Sequence, residues 1–255
     1  MEVLLSEFQK FLLVFLRISG IFITAPLFSS PNIGYPIRVA ICLLASIAAT
    51  PPVLSFIPNP PTNIISYAIL SISEIIIGLT IGLFASFIVS LFSLSAEFYS
   101  VSMGFAISNV FDPVSEVEQP VIGQLLGLFG LLVFITIDGP QTILYAVISS
   151  FKFVTGLSLA SSKILSSSTI EMFCKMFATA LKISFPLLCV LFLVNLSLGL
   201  LSKAAPLINI MIFGFPITIL SGLIVLFLLF PFLWNVSSSI FQELFSDIDK
   251  LIRSL

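Results

Sequence analysis

The stretch "SEIIIGLTIGLFASFIVS", Ser73 to Ser90, decides how the rest of the chain is read. It is largely apolar with small hydroxyl residues and a single charge, Glu74, and lacks the strict alternation of a half-buried strand. Glu74, Gly78, Gly82, Ser86 and Ser90 recur every four residues, so on a helix they share one side. Gly78 and Gly82 form a GxxxG pair, which lets a second backbone approach closely. A carboxylate at membrane depth costs about 2.5–3.5 kcal/mol even on the lenient insertion scale, so Glu74 should face a partner or water. Two readings stand: an ion pair with a basic group, Arg17 or Arg38, or a place on a proton or ion path.

Outward from this helix the same character continues. Apolar residues make up 58% of the chain and charged ones 9%, more apolar surface than a water-soluble fold of this length could hide. Six apolar stretches, roughly 11–28, 37–57, 64–94, 121–150, 176–202 and 207–234, approach or exceed the ~20 residues a membrane-spanning helix needs. Long period-two patterning is absent, which argues against a β-barrel. The expected fold is therefore all-α and polytopic, a single membrane-embedded domain over 1–255 with no soluble domain and no long repeat. Thr50-Pro51-Pro52 should end the second stretch early, and Pro58-Asn59-Pro60-Pro61 should turn the chain after it.

Charge and side-chain chemistry exclude several classes. A net charge of -2 with no basic block gives nucleic acid no footprint. There is no histidine, which removes His-based triads and the HExxH zinc site together. GxSxG and paired intramembrane aspartates are missing as well, so the expectation is a non-enzyme without cofactor or metal. Cys42, Cys174 and Cys189 lie far apart within or beside apolar runs and read as buried free thiols. Glu2, Glu7 and Arg17 spoil a cleavable signal, so the N-terminus is expected to be retained. If all six stretches span, Lys10, Lys152, Lys163, Lys175, Lys250 and Arg253 fall on one side, against Arg38 and Lys203. The positive-inside rule then puts both termini in the cytoplasm.

Three further segments carry information. The fourth stretch repeats the small-residue device with Gly123, Gly127 and Gly130. Before it, "MGFAISNVFDPVSEVEQP", Met103 to Pro120, is half apolar and half acidic, with Asp112, Glu116 and Glu118 and no basic residue. Such a loop suits docking into a protein cavity better than free solvation. In the tail, 236–255, Ile240, Phe241, Leu244, Phe245, Ile248, Leu251, Ile252 and Leu255 fall on one helical face and polar residues on the other. Its slightly acidic polar side favours a protein partner over anionic lipid. Finally "APLINIMIFGFPIT", Ala205 to Thr218, sets prolines, an asparagine and a glycine where a plain membrane helix would carry leucine.

Together these segments resemble the FliR family, the flagellar branch of the type III secretion export-gate proteins. Arg17, Pro26 and Arg38 match the family's opening, and Glu74, Gly78 and Gly82 its acidic-and-glycine helix. "MGFAISNVFDP" is similar to its glycine-phenylalanine to Asp-Pro loop, and "IDGP" with the later Ser150-Phe151 to the next block. The most specific match is Pro206, Asn209, Gly214, Phe215 and Pro216. Departures exist: Pro140 and Gln141 stand where the family commonly has histidine, Lys203 where it has arginine, and Leu207 where it has glutamine. Met103-Gly104-Phe105 favours the flagellar branch over the injectisome one.

The resemblance implies a subunit of bent helical hairpins that assembles with FliP- and FliQ-like partners into a channel for unfolded flagellar proteins. It also implies recruitment of FlhB-like and FlhA-like subunits, contact with membrane lipid, and a place in the bacterial cytoplasmic membrane at the basal body. Met103, Gly104, Phe105, Asn109, Phe111, Asp112, Pro113 and Glu116 would belong to a channel plug. Phe241, Leu244 and Ile248 would anchor the tail on an FlhB-like partner. Pro206 and Pro216 would bend a helix inside a ring of neighbours, where interrupted backbone is tolerated. The alternative is a secondary transporter with a small-solute site at broken helices. Such a protein should show matching halves, and none are visible.

Overall fold

The computed structural model describes residues 2–30, 33–61, 63–104, 121–154, 159–205 and 210–254. Among the described residues all regular structure is helix: α1 (Glu2–Thr24), α2 (Tyr35–Val53), α3 (Ile64–Met103), α4 (Val121–Thr136), α5 (Gly139–Phe153), α6 (Leu159–Ala204) and α7 (Ile210–Ser254). Four of these, α2, α3, α6 and α7, are long and apolar enough to cross a membrane, and α4 with α5 meets the same measure as a bent pair. The protein is an all-α polytopic membrane protein.

Each apolar stretch is mostly helical among the described residues, but the simple six-span picture needs correction at both the first and the fourth. α1 carries Glu2, Glu7, Lys10 and Arg17, and is not among the helices apolar enough to span. The fourth stretch breaks at Asp138, which takes a left-handed conformation with φ 58° and starts α5. Gly139 follows because a Cβ there would lie 2.5 Å from the carbonyl oxygen of Phe134. The inside-outside assignment from basic residues assumed six plain spans, a count the structure does not keep.

α2 stops at Val53, with Pro51 and Pro52 in its last turn, as the missing donors there require. By contrast α7 does not break at "FGFPIT": it runs unbroken through Pro216 and Pro231. One proline deletes one donor and crowds one carbonyl, which bends a helix more readily than it ends one. The amphipathic tail is correspondingly the last part of α7, not a separate helix.

The chain clusters into two compact units. Unit 1 holds Met1–Ile88, Phe134–Phe173 and Phe241–Leu255, and unit 2 holds Val89–Val133 and Cys174–Ile240. In unit 1, α1 packs on α2 and α2 on α5. α1 also meets the first part of α3, where Thr24 Oγ1 donates to the Leu79 carbonyl at 3.1 Å and Tyr67 donates to the Gln9 carbonyl at 3.0 Å. In unit 2 the rest of α3 meets α4 through an edge-to-face pair, Phe92 with Phe129, and Phe129 also stacks on Phe230 of α7. Of the cysteines only Cys42 is buried; Cys174 and Cys189 sit on the outer face of α6, contrary to expectation.

Candidate functional site

Three features join in unit 1 around one guanidinium. Arg17 is 0% exposed and Glu74 2% exposed, so both charges are out of solvent. Arg17 Nε donates to Glu74 Oε2 at 2.5 Å, Nη1 donates to Ser150 Oγ at 2.7 Å, and Nη2 donates to the Val154 carbonyl at 2.8 Å. The flat face of the guanidinium lies 3.6 Å from the centre of the Phe151 ring. Each contact uses what its helix makes available. Val154 caps α5, so its carbonyl has no helical partner of its own. Ser150 accepts from Arg17 while giving its own proton to the Val147 carbonyl. A planar fork with five donors can satisfy a carboxylate, a hydroxyl, a carbonyl and a ring face together, which a lysine could not. The cluster ties α1, α3 and α5 into one arrangement.

Glycines bring α1 and α3 close enough for this pair to form. A Cβ on Gly78 would overlap the carbonyl oxygen of Arg17, and one on Gly82 would lie 3.0 Å from that of Ile21. From the other side, a Cβ on Gly20 would lie 2.6 Å from the Ile75 carbonyl. The GxxxG pair thus packs on α1 of the same chain. Arg38 has a different task from Arg17. It donates to the Ser30 carbonyl at 2.7 Å and so holds the turn after Pro26, where Leu27 takes φ 71°. Arg17, not Arg38, is the partner of Glu74.

Unit 2 contains the described residues of the second glycine face, the end of α3 and the start of α7. Gly127 approaches Ser93, whose Oγ would be 2.6 Å from an added Cβ. Gly123 is buried on the same helix. Met103 ends α3 and Gly104 follows with φ 93°, the left-handed turn that glycine favours at a helix end. Phe105, Asn109, Phe111, Asp112, Pro113 and Glu116 lie outside the described residues, as do Pro206 and Asn209. Gly214 is buried on α7, Phe215 packs beside Gly104, and Pro216 is exposed on the opposite side.

The tail corrects an expectation. Phe241, Leu244 and Ile248 are 0%, 2% and 2% exposed, covered within unit 1 instead of waiting for a partner. Phe241 and Phe245 both stack near Phe134, with ring centres 6.2 and 6.4 Å away. The apolar periodicity marked a face that gets buried; it did not say that the chain itself would bury it. Ser150, Phe151 and Val154 were the converse miss as partners of Arg17. A serine or a carbonyl in an apolar run gives no signal until the folded chain delivers a cation to it.

A buried charge centre, glycine-mediated helix contacts and large exposed apolar faces, such as Phe185, Phe192 and Phe227 on α6 and α7, define a polytopic membrane protein built for close helix packing. Over residues 8–244 the chain matches the model of the family described as bacterial export proteins, family 1, and it belongs to that family, within its FliR group. It is 28% identical to the flagellar biosynthetic protein FliR of Bacillus subtilis (strain 168), over 99% of this chain and 98% of that protein. The FliR of Borreliella burgdorferi is 32% identical, over 88% of this chain and 82% of that one. For Escherichia coli (strain K12) the identity is 25%, over 94% and 91%.

Proposed function

We propose that this chain is a non-enzymatic subunit of the flagellar type III export gate. In this reading it joins FliP-like and FliQ-like subunits to form the channel for unfolded flagellar proteins in the bacterial cytoplasmic membrane, at the basal body. The observation that carries the proposal is the family match over residues 8–244, with relatives of nearly the same length named flagellar biosynthetic protein FliR. The exposed apolar faces of α6 and α7 support it, since a subunit set among helices and lipid needs an outside as apolar as its inside.

Within that assembly, the segment Met103 to Pro120 serves as a plug. Its apolar half, including Phe105 and Phe111, seals the path, while Asp112 and Glu116 face water. A closed gate must stop ions, and packed apolar residues exclude water where polar ones admit it. FlhB-like and FlhA-like subunits are further partners. Because the apolar side of the tail is covered, they would meet its outer residues, such as Gln242 and Lys250.

The test is co-expression with the FliP-like and FliQ-like proteins of the same genome, followed by native mass measurement. The expected result is one discrete complex containing all three chains. Recovery of this 27.7 kDa chain as a folded, monodisperse protein free of the others would overturn the proposal and favour a solitary transporter.

A further inference from the structure

The C-terminal end of α3 is held, within unit 2, by side chains from two other helices. A helix leaves its last carbonyls without intrahelical donors, and in an apolar setting each needs a substitute. For Val101 the substitute is the backbone N–H of Gly104, at 3.1 Å. The Met103 carbonyl accepts from Thr218 Oγ1 of α7 at 3.2 Å, and the Ser102 carbonyl accepts from Asn195 Nδ2 of α6 at 3.4 Å. Side-chain packing follows the same route. Met103 lies over Gly222, where a Cβ would be 2.9 Å from its Cγ, and Gly104 lies against Phe215, whose Cδ1 would be 2.9 Å from a Cβ. Phe215, Thr218 and Gly222 are spaced i, i+3, i+7 and so form one face of α7.

We infer that Thr218 and Asn195 are positioning residues that hold the last turn of α3 in place, through a grip that can be released. The release follows from the chemistry of the hydroxyl. Thr218 Oγ1 is also 3.0 Å from the Phe215 carbonyl in its own helix, and it has one proton for two acceptors. Turning that proton from Met103 to Phe215 frees the end of α3 while the hydroxyl stays paired, and the cost is the Met103 carbonyl left without Thr218 as its donor. The bond from Asn195, at 3.4 Å, is long enough to be weak. Phe215 and Thr218 both come from "FGFPIT", so that segment acts as a support for the end of α3 and not as a break in α7.

The test uses the assembled complex and two readouts, of which only the second rests on the channel reading. Thr218→Val keeps the shape and removes the hydroxyl; Thr218→Ser keeps the hydroxyl. Amide exchange in the last turn of α3 is expected to rise roughly five- to ten-fold in Thr218→Val, the share of one hydrogen bond, and to stay near wild type in Thr218→Ser. Asn195→Leu should give a smaller rise. Ion conductance of the Thr218→Val complex should exceed background and that of Thr218→Ser should not, with a complex lacking residues 105–113 as the positive control. Equal exchange in Thr218→Val, Thr218→Ser and wild type overturns the inference, as does faster exchange in Thr218→Val without conductance while the control conducts. Should the control itself stay at background, the channel reading fails, and the exchange difference alone decides the grip.

Discussion

The two units of the chain solve the problem of holding apolar helices together in opposite ways. Unit 1 adds to its glycine and ring contacts one buried charge centre, where Arg17 binds Glu74, Ser150, Val154 and the face of Phe151. Unit 2 spreads its specificity over many weak contacts, among them the ring pairs of Phe129, the approach of Gly127 to Ser93, and two long hydrogen bonds at the end of α3. Apolar packing alone is a poor guide to register when every helix face is apolar. A buried ion pair is satisfied in one register only, whereas aromatic and small-residue contacts tolerate small slips. The first arrangement suits a part that must not move, the second a part that must yield.

The largest effect should come from breaking the charge centre. Arg17→Met leaves Glu74 buried without its cation and should destabilise unit 1 by about 3–5 kcal/mol, measured as loss of thermal stability in the purified complex. Adding Glu74→Met to the same protein should restore most of that loss, because an apolar pair of similar volume replaces a buried ion pair at little net cost. A double variant no better than Arg17→Met would show that the cluster does more than hold the helices, and would remove the contrast between the units.

A smaller effect is expected at Gly78. Its Cβ would meet the backbone of α1, which cannot turn aside, so Gly78→Ala should cost about 2 kcal/mol despite the better helix propensity of alanine. Gly127→Ala should be the mildest. There the obstacle is the tip of Ser93, which can rotate, and the propensity gain of about 0.8–1 kcal/mol offsets the crowding, for a change near zero. Unfolding curves of both variants sharpen the comparison. If Gly127→Ala proved as damaging as Gly78→Ala, unit 2 would be as rigidly specified as unit 1.

How far the sequence could be read follows from the same contrast. Glu74, Gly78 and Gly82 were legible because each departs from what an apolar helix carries by default, and Arg17 was legible as one of two cations that could answer Glu74. Ser150 and Val154 were not, because their role depends on where α5 stops and on a cation arriving from α1. Thr218 and Gly222 were hidden for a similar reason: a hydroxyl and a glycine on a long helix have no assigned partner until the end of α3 meets them. The tail's period was plain, yet a period names a face without naming its cover, and Phe134 supplies it. Pro216 interrupts the apolar pattern without ending α7, because one missing donor is tolerated among packed helices.

Ion conductance of the assembled complex lacking residues 105–113 decides whether this chain carries a plug within an export channel. With a plug removed, the complex should form with normal subunit composition and leak small ions well above the intact complex in a planar bilayer. An assembled deletion complex whose conductance stays at background would contradict the plug, and would make Met103 to Pro120 an external loop.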